Sequence, residues 1–182
     1  MESIYQDDEI EIRCALPSDA LLHFAAIKDS VADIGAWQSW CTEHYSLQHS
    51  QHYLQDAVDK YLRGVEFNYC LFDRASGQII GSVSINSMQP DSKMANVGYW
   101  IRSGFTGRSL AVTAVKAIAQ FGFNQLGLTR LEIIAMESNH RSRRVAEKAG
   151  AHSEGRHRNR LYYAGKPQDA WVYSLIPGDL SE

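Results

Sequence analysis

Two short stretches hold residue types and spacings that can do chemistry. The first is Arg102-Ser103-Gly104-Phe105-Thr106-Gly107-Arg108-Ser109, which runs directly into an apolar helical segment. A loop feeding a helix N-terminus presents free backbone N–H groups and the positive end of the helix dipole. Together these suit a phosphate. Gly104 and Gly107 let the backbone come close to an anion, and Arg108 adds a charge. No Gly-Lys-Ser/Thr follows at P-loop spacing, and Gly-x-Gly-x-x-Gly is absent, so an ordinary turn is the competing reading. The second stretch is Asn139 to Ala151. Asn139 is a good N-cap, with Ser142 one turn later. Four bases and one acid lie between Arg141 and Lys148. A capped, solvated basic helix is the competing reading there.

Other constellations point less far. His49 and His52 share a helical spacing and His44 is near, but no Cys, Asp or Glu pattern completes a standard site, so no metal is expected. Trp37, Trp40 and Tyr45 are candidates to line a substrate slot, because aromatic walls suit pockets; a place in the core fits them equally. Arg156-His157-Arg158-Asn159-Arg160 is strongly basic and fits a solvated strand or a phosphate contact.

The elements that must carry these residues follow from periodicity. Ile10, Ile12 and Cys14 alternate with Glu9, Glu11 and Arg13 as a half-buried strand. Pro17-Ser18-Asp19 starts a helix, and residues 33–46 are irregular and aromatic-rich. A second helix is expected from Ser50 to Arg63, with Tyr53, Leu54, Ala57, Val58, Tyr61 and Leu62 on one face. Strands follow at Phe67–Phe72, Ile79–Ile85 and Ala95–Ile101. A helix runs from Leu110 to about Gln125, then a strand at Arg130–Met136 and a short helix from Asn139 to Gly150. Two closing strands, Ser153–Tyr163 and Ala170–Ile176, flank a turn at Ala164-Gly165-Lys166-Pro167. The order β α α β β β α β α β β is that of a layered α/β protein with one central sheet and helices on its faces.

Composition bounds the function classes. The chain has 182 residues, 45% of them hydrophobic and 21% charged, which excludes disorder and coiled coil and fits one domain over residues 1–182. Cys14, Cys41 and Cys70 follow no disulfide spacing and suit a reducing compartment. Met1 to Asp8 does not resemble a signal peptide, and no apolar run reaches membrane-spanning length, so a cytoplasmic protein with no membrane partner is expected. The net charge of −3 argues against DNA or other nucleic acid as the partner. The total hides a split: residues 1–66 hold four bases and twelve acids, while residues 67–182 hold fourteen bases and nine acids.

Taken together, Gly98-Tyr99-Trp100-Ile101, the turn Thr106-Gly107-Arg108-Ser109-Leu110-Ala111, and Asn139-x-x-Ser142 with Glu147-Lys148-Ala149-Gly150 resemble the GNAT superfamily of acyl-CoA N-acyltransferases. More narrowly, the chain is similar to the bacterial ribosomal-protein N-terminal serine/alanine acetyltransferases. The resemblance covers nearly the whole chain, including the closing Asp169-Ala170-Trp171-Val172-Tyr173-Ser174-Leu175 strand. It implies a mixed, mostly antiparallel central sheet flanked by helices on both faces, and acetyl-CoA as co-substrate. It also implies that the amides of Gly107, Arg108, Ser109, Leu110, Ala111 and Val112 hold the pyrophosphate. The backbones of Trp100, Ile101 and Arg102 would pair with the pantetheine arm, which Asn139 would hold from the next strand's end. The family's Gln/Arg-x-x-Gly-x-Gly/Ala turn reads Thr106-x-x-Ser109-x-Ala111 here, so Thr106 and Ser109 depart from it.

Transfer of acetyl to an amine needs a base for the amine, a donor for the thioester oxygen and a proton source for the leaving thiolate. Many superfamily members place a tyrosine four residues after the position of Ser142; here Ala146 stands there. The resemblance to the ribosomal-protein branch makes Ser142 the candidate acid. Glu66 is the first candidate base, acting through water, with Glu137 and His140 behind it. No cysteine lies in the motifs, which favours direct attack over an acyl-enzyme. The acceptor implied is the α-amine of a ribosomal protein beginning with Ser or Ala. The alternatives are a small amine (polyamine, aminoglycoside or amino acid), a non-catalytic acyl-CoA-binding module, and an RNA- or ribosome-binding protein using Arg141–Arg160. Family analogy suggests a homodimer. The charge split would then set an acidic acceptor side against a basic coenzyme side.

Overall fold

Ile10 and Ile12 are buried on strand β2 (Ile10–Arg13), while Glu11 and Arg13 are half-buried on its other face, as a period of two requires. The computed structural model describes residues 3–180. Strand β1 (Tyr5–Gln6) precedes β2 at the sheet edge. Helices α1 (Ala20–Lys28), α2 (Val31–Gly35) and α3 (Leu47–Leu62) follow, then strands β3 (Phe67–Asp73), β4 (Ile79–Gln89) and β5 (Met94–Ile101). Helix α4 (Leu110–Asn124), strand β6 (Arg130–Met136), helix α5 (His140–Lys148) and the hairpin β7 (His152–Tyr163) and β8 (Lys166–Leu175) complete the order.

The boundaries differ from the sequence expectation where local chemistry intervenes. Helix α3 begins at Leu47, ahead of Ser50, because Ser46 caps it. The Ser46 hydroxyl accepts from the His49 amide at 3.4 Å, and the His49 ring accepts from the Ser46 amide at 3.0 Å. Strand β4 continues past Ile85 although the apolar alternation stops there; Asn96 Nδ2 donates to Asn86 Oδ1 across the strands at 3.0 Å. The last hairpin turns on Ala164 and Gly165 alone, with φ of 49° and 74°, so β8 starts at Lys166. Two consecutive left-handed residues are what a tight hairpin needs. Strand β1 and helix α2 are additions to the expected order.

Among the described residues the strands form an eight-stranded sheet in the order β1-β2-β3-β4-β5-β6-β8-β7. Every neighbouring pair is antiparallel except β5 and β6. Helices lie on both faces. Tyr69, Leu71, Val83, Ile85, Val97, Leu131, Ile133 and Tyr173 pack against Ala114, Val115 and Ile118 of α4, Ala146 of α5 and Ala149 at its C-cap. Each fully buried large side chain contributes roughly 1.5–3 kcal/mol. Helix α4 sits close: a Cβ on Gly122 would meet Ile85 Cδ1 at 2.9 Å. On the opposite face, Cys70, Phe72 and Ile79 pack against Ala20 and Ala26 of α1 and Leu54 of α3. No helix among the described residues is long and apolar enough to cross a membrane.

One irregularity decides where function can sit. Strands β5 and β6 pair only at Met94↔Arg130, Ala95↔Leu131 and Asn96↔Glu132. Beyond those pairs β5 stays with β4 as far as Ile101, while β6 stays with β8 as far as Met136. The sheet therefore splits between Val97–Ile101 and Ile133–Met136. The two facing edges offer N–H and C=O groups, which need partners, to any extended molecule that enters.

Candidate active site

A cavity of about 890 Å³ occupies this split and is lined by residues from both faces of the sheet. On the α4/α5 side, its wall is the start of α4. Gly107 has φ 83° and Ser109 has φ 59°, both left-handed. This conformation turns the backbone so that the amides of Gly107, Arg108, Ser109, Leu110 and Ala111 make no hydrogen bond among the described residues. Five free donors at the positive end of a 15-residue helix are a strong anion site. Val112 differs from the expectation, because its amide donates to the Ser109 carbonyl at 2.9 Å inside the helix. Arg108 also differs in its side chain, which stands over Phe105 and pairs with Glu9 at 3.2 Å outside the cavity; its amide remains free.

Helix α5 adds charge to the same wall. Arg141, Arg144, Val145 and Lys148, at i, i+3, i+4 and i+7, all line the cavity, which is one helical face. Arg141 pairs with Asp33 at 3.5 Å. Arg144 and Lys148 are exposed and have no ion-pair partner among the described residues. That spacing was legible in the sequence and marks both as anion contacts that the motif reading passed over. Asn139 caps α5, its Oδ1 accepting from the Ser142 amide at 3.1 Å, and its Nδ2 remains for other use.

The strand residues divide. Trp100 and Ile101 line the cavity and Arg102 does not. Its amide donates to the Ile80 carbonyl at 2.9 Å, and its guanidinium is held by Asp29 and by Gln78 at 2.9 Å. Arg102 is therefore a brace between β5, β4 and α1, and the expected backbone pairing with an arm in the split does not extend to it.

Ser142 lines the cavity at the third residue of α5. Its Oγ lies 2.8 Å from the hydroxyl of Tyr99, which also lies 3.0 Å from the Ser142 carbonyl. Burial pushes the Tyr99 phenol up to about 12, against a lowering by its hydrogen bond to Ser142. Tyr99 is a residue that motif reading missed as functional; nothing short of the fold could have paired it with Ser142. Ala146 is fully buried against α4 and the sheet, so no side chain there reaches the cavity.

The α1–α3 side of the cavity is walled by Trp37 and Asp33, floored by Asn86, Asn96 and Glu132, and bounded by Arg160 and Tyr163 of β7. Tyr163 donates its hydroxyl to the Gly35 carbonyl, tying the β7–β8 tip to α2. Glu132 accepts from Arg130 at 3.0 Å and lies 3.8 Å from Arg160. Five of the expected residues lie off the cavity wall. Glu66 lies off the cavity wall, with Oε2 on Lys60 at 3.1 Å and Oε1 accepting from Asn68 at 2.9 Å. Trp40 is 46% exposed and not on the wall. Tyr45 is core, stacked on His49 and accepting from Ser50. Glu137 is paired with Arg156 at 2.9 Å, and neither it nor His140 lines the cavity. Of the described acids in residues 3–66, only Asp33 reaches the cavity, so the described residues do not make the acidic acceptor side that the charge split suggested.

The cysteines are buried and off the cavity wall. Burial pushes the Cys14 thiol up to about 11 and the Cys70 thiol up to about 12, far from the thiolate a nucleophile needs. Among the described residues no group of three or more His, Cys, Asp or Glu side chains could hold a metal ion; the His49 ring is engaged by the Ser46 cap.

A sheet split between two parallel strands, with an anion-binding turn opening the helix after the first, leaves a slot that suits an extended molecule with an anionic end. The chain belongs to the GNAT acetyltransferase family, whose domain model matches residues 11–152, and it is an N-acetyltransferase. The Bacillus subtilis protein YdaF, named "Putative ribosomal N-acetyltransferase", is 29% identical over 173 residues, covering 93% of this chain and 92% of that protein. A solved structure described as "a putative ribosomal-protein-serine acetyltransferase from Vibrio cholerae" is 28% identical with a TM-score of 0.83, covering 97% and 98% of the two chains. The ribosomal-protein-S5-alanine acetyltransferase of Vibrio fischeri, at 21% identity, shares the fold with a TM-score of 0.86 over 100% of both chains.

Proposed function

We propose that this chain, as a single domain over residues 1–182, transfers acetyl from acetyl-CoA to the N-terminal α-amine of a ribosomal protein beginning with Ser or Ala. The observation that carries the reading is the β5–β6 split with five free amides at its α4 end. The donor set fits the co-substrate: the amides of Gly107 to Ala111, with Arg144 and Lys148, suit phosphates, and the edges of β5 and β6 suit the amide groups of a pantetheine arm. The co-substrate supplies an activated acetyl thioester. The chain's residues do the rest. The anion turn fixes the phosphate end, Asn139 Nδ2 and the strand edges orient the arm, and Ser142 offers its hydroxyl proton to the leaving sulfur. The cavity brings the acceptor in from the α1–α3 face, past Trp37 and over Asn86, Asn96 and Glu132. Buried, protonated thiols support direct attack of the amine over an acyl-enzyme. Of the carboxylates, Glu132 is better placed than Glu66 to take the amine's proton, through water.

The similarity to YdaF supports the acceptor class. The three buried cysteines without disulfides support a cytoplasmic setting, and family analogy a homodimer, to be read by light scattering. The test of function is incubation with acetyl-CoA and peptides carrying ribosomal-protein N-termini, beside polyamines, an aminoglycoside and amino acids. Mass spectrometry should find acetyl on the peptide α-amine. Acetylation of the small amines alone makes the chain a small-amine enzyme. Coenzyme binding without thiol release for any acceptor makes it a binding module.

A further inference from the structure

Ser142 is a poor acid by itself, because a lone hydroxyl that gives up its proton leaves an alkoxide behind. The structure sets a second hydroxyl against it. Tyr99 reaches across from β5, where its ring packs with the α4/α5 core, and its oxygen lies 2.8 Å from Ser142 Oγ. The contact links positions 43 residues apart. Both residues line the cavity at the split. The Ser142 amide is held by Asn139 at 3.1 Å, which fixes the serine backbone against the tyrosine.

We infer that Tyr99 is the positioning residue and proton reservoir for Ser142, so that the two hydroxyls act as one donor to the leaving sulfur. This rests on the reading above that Ser142 protonates the thiolate. The Tyr99 O–H has two acceptors within reach, the Ser142 carbonyl at 3.0 Å and Oγ at 2.8 Å; when it turns to Oγ, the serine's own proton is free to point into the cavity. As the amine forms its C–N bond, the C–S bond breaks and the sulfur keeps the electron pair. Ser142 then gives its proton to sulfur and takes one from Tyr99. The proton that the attacking amine loses passes to Glu132 through water and from there, again through water, to the phenolate, so nothing is consumed beyond amine and thioester. Negative charge thus rests on an aromatic ring, where it is more stable than on a serine oxygen. The groups that act on Tyr99 agree with this. Burial holds the phenol protonated at neutral pH, Ser142 from α5 opposes that shift, and Tyr173 from β8 adds to it.

The test compares Tyr99→Phe and Ser142→Ala in the full chain. Tyr99→Phe keeps the ring in the core and removes only the hydroxyl. Its kcat should fall roughly 10- to 100-fold, up to the lower end of the range of about 10²–10⁴ for a positioned acid–base group, with KM for acetyl-CoA within about twofold of the parent. With an aryl thioester, whose thiolate leaves without help, the defect should largely vanish; a packing defect would persist. A second readout needs no turnover. In ligand-free protein with ring-labelled tyrosine, the Tyr99 resonance, assigned by its loss in Tyr99→Phe, should titrate at higher pH in Ser142→Ala than in the parent. If Ser142→Ala is slow while Tyr99→Phe turns over normally, or if both are equally slow with alkyl and aryl thioesters, or if the Tyr99 titration does not move, the role assigned to Tyr99 is overturned. If Ser142→Ala itself turns over normally, the acid role of Ser142 falls first and this inference falls with it.

Discussion

The two sides of the cavity are built on different principles. The α4/α5 side is made largely of backbone: five free amides and a helix dipole, supplemented by Arg144 and Lys148, which carry no ion-pair partner among the described residues. Its parts come from two continuous stretches, 106–112 and 139–148. The α1–α3 side is made of side chains from α2, β4, β5, β6 and β7, and its charges are already matched: Asp33 with Arg141, and Glu132 with Arg130 and Arg160. A backbone site with unpaired cations accepts any phosphate of suitable shape. A site whose charges are spent on each other selects by fit and hydrogen bonding.

The contrast can be broken most strongly on the phosphate side. Replacing both Arg144 and Lys148 by Ala removes two charge-assisted contacts, worth together about 2–3 kcal/mol after solvent screening. KM for acetyl-CoA should therefore rise roughly 30- to 150-fold, with the acceptor KM unchanged and a weaker dependence on salt. Initial-rate kinetics with each substrate varied in turn would show it. An equal rise in both KM values would mean that the two sides are not separable.

The α1–α3 side has a pH-sensitive point behind Trp100, whose ring lies edge-on to His23. His23 is buried, with Nδ1 3.0 Å from Ser50 Oγ and its ring stacked on Tyr53. Burial lowers its pKa to about 4. The unfolded chain therefore takes up a proton that the folded chain refuses. That stability is fully present above about pH 6.5 and is lost as pH falls toward 4, amounting to about 2 kcal/mol at pH 5. Urea unfolding at pH 7 and pH 5 should show this loss. It should disappear in His23→Gln, whatever that variant's starting stability.

Trp37 sharpens the contrast from the acceptor side. Trp37→Ala should raise the acceptor KM about tenfold, on the order of 1.4 kcal/mol, and leave the KM for acetyl-CoA within about twofold. The smallest effect is expected in the anion turn itself. Ser109 holds a left-handed conformation that costs a non-glycine residue roughly 1 kcal/mol. Ser109→Gly relieves it, so Tm should rise by about 2–4 °C with coenzyme affinity unchanged or slightly tighter. A lower Tm would mean that the serine hydroxyl is worth more than the strain.

How much was legible follows the same division. That Gly107 and Ser109 to Ala111 form a turn and helix start, and that Asn139 caps the helix holding Ser142, was readable because turns, caps and helix starts depend on residues within one or two turns of each other. The pair Arg144 and Lys148 was readable in principle from its four-residue spacing. Glu66, Trp40 and Tyr45 were of the right types, but type says nothing about direction. Glu66 faces Lys60 and Asn68, and Tyr45 faces a core histidine–serine network. Arg102 stood in the right motif yet is turned to Asp29 and Gln78, more than 20 residues away in sequence.

The sequence by itself determined the order of strands and helices, the anion turn, the α5 cap and the family to which they belong. These rest on periodicity, capping and backbone preference, which act over a few residues. Only the tertiary structure decided which side chains meet. It stopped the β5–β6 pairing at Asn96 and Glu132, brought Tyr99 to Ser142, and set Glu132 rather than Glu66 on the cavity floor. Strand register and helix docking are settled by the packing of the whole core at once, and a one-residue change of register would turn each of these side chains to the opposite face.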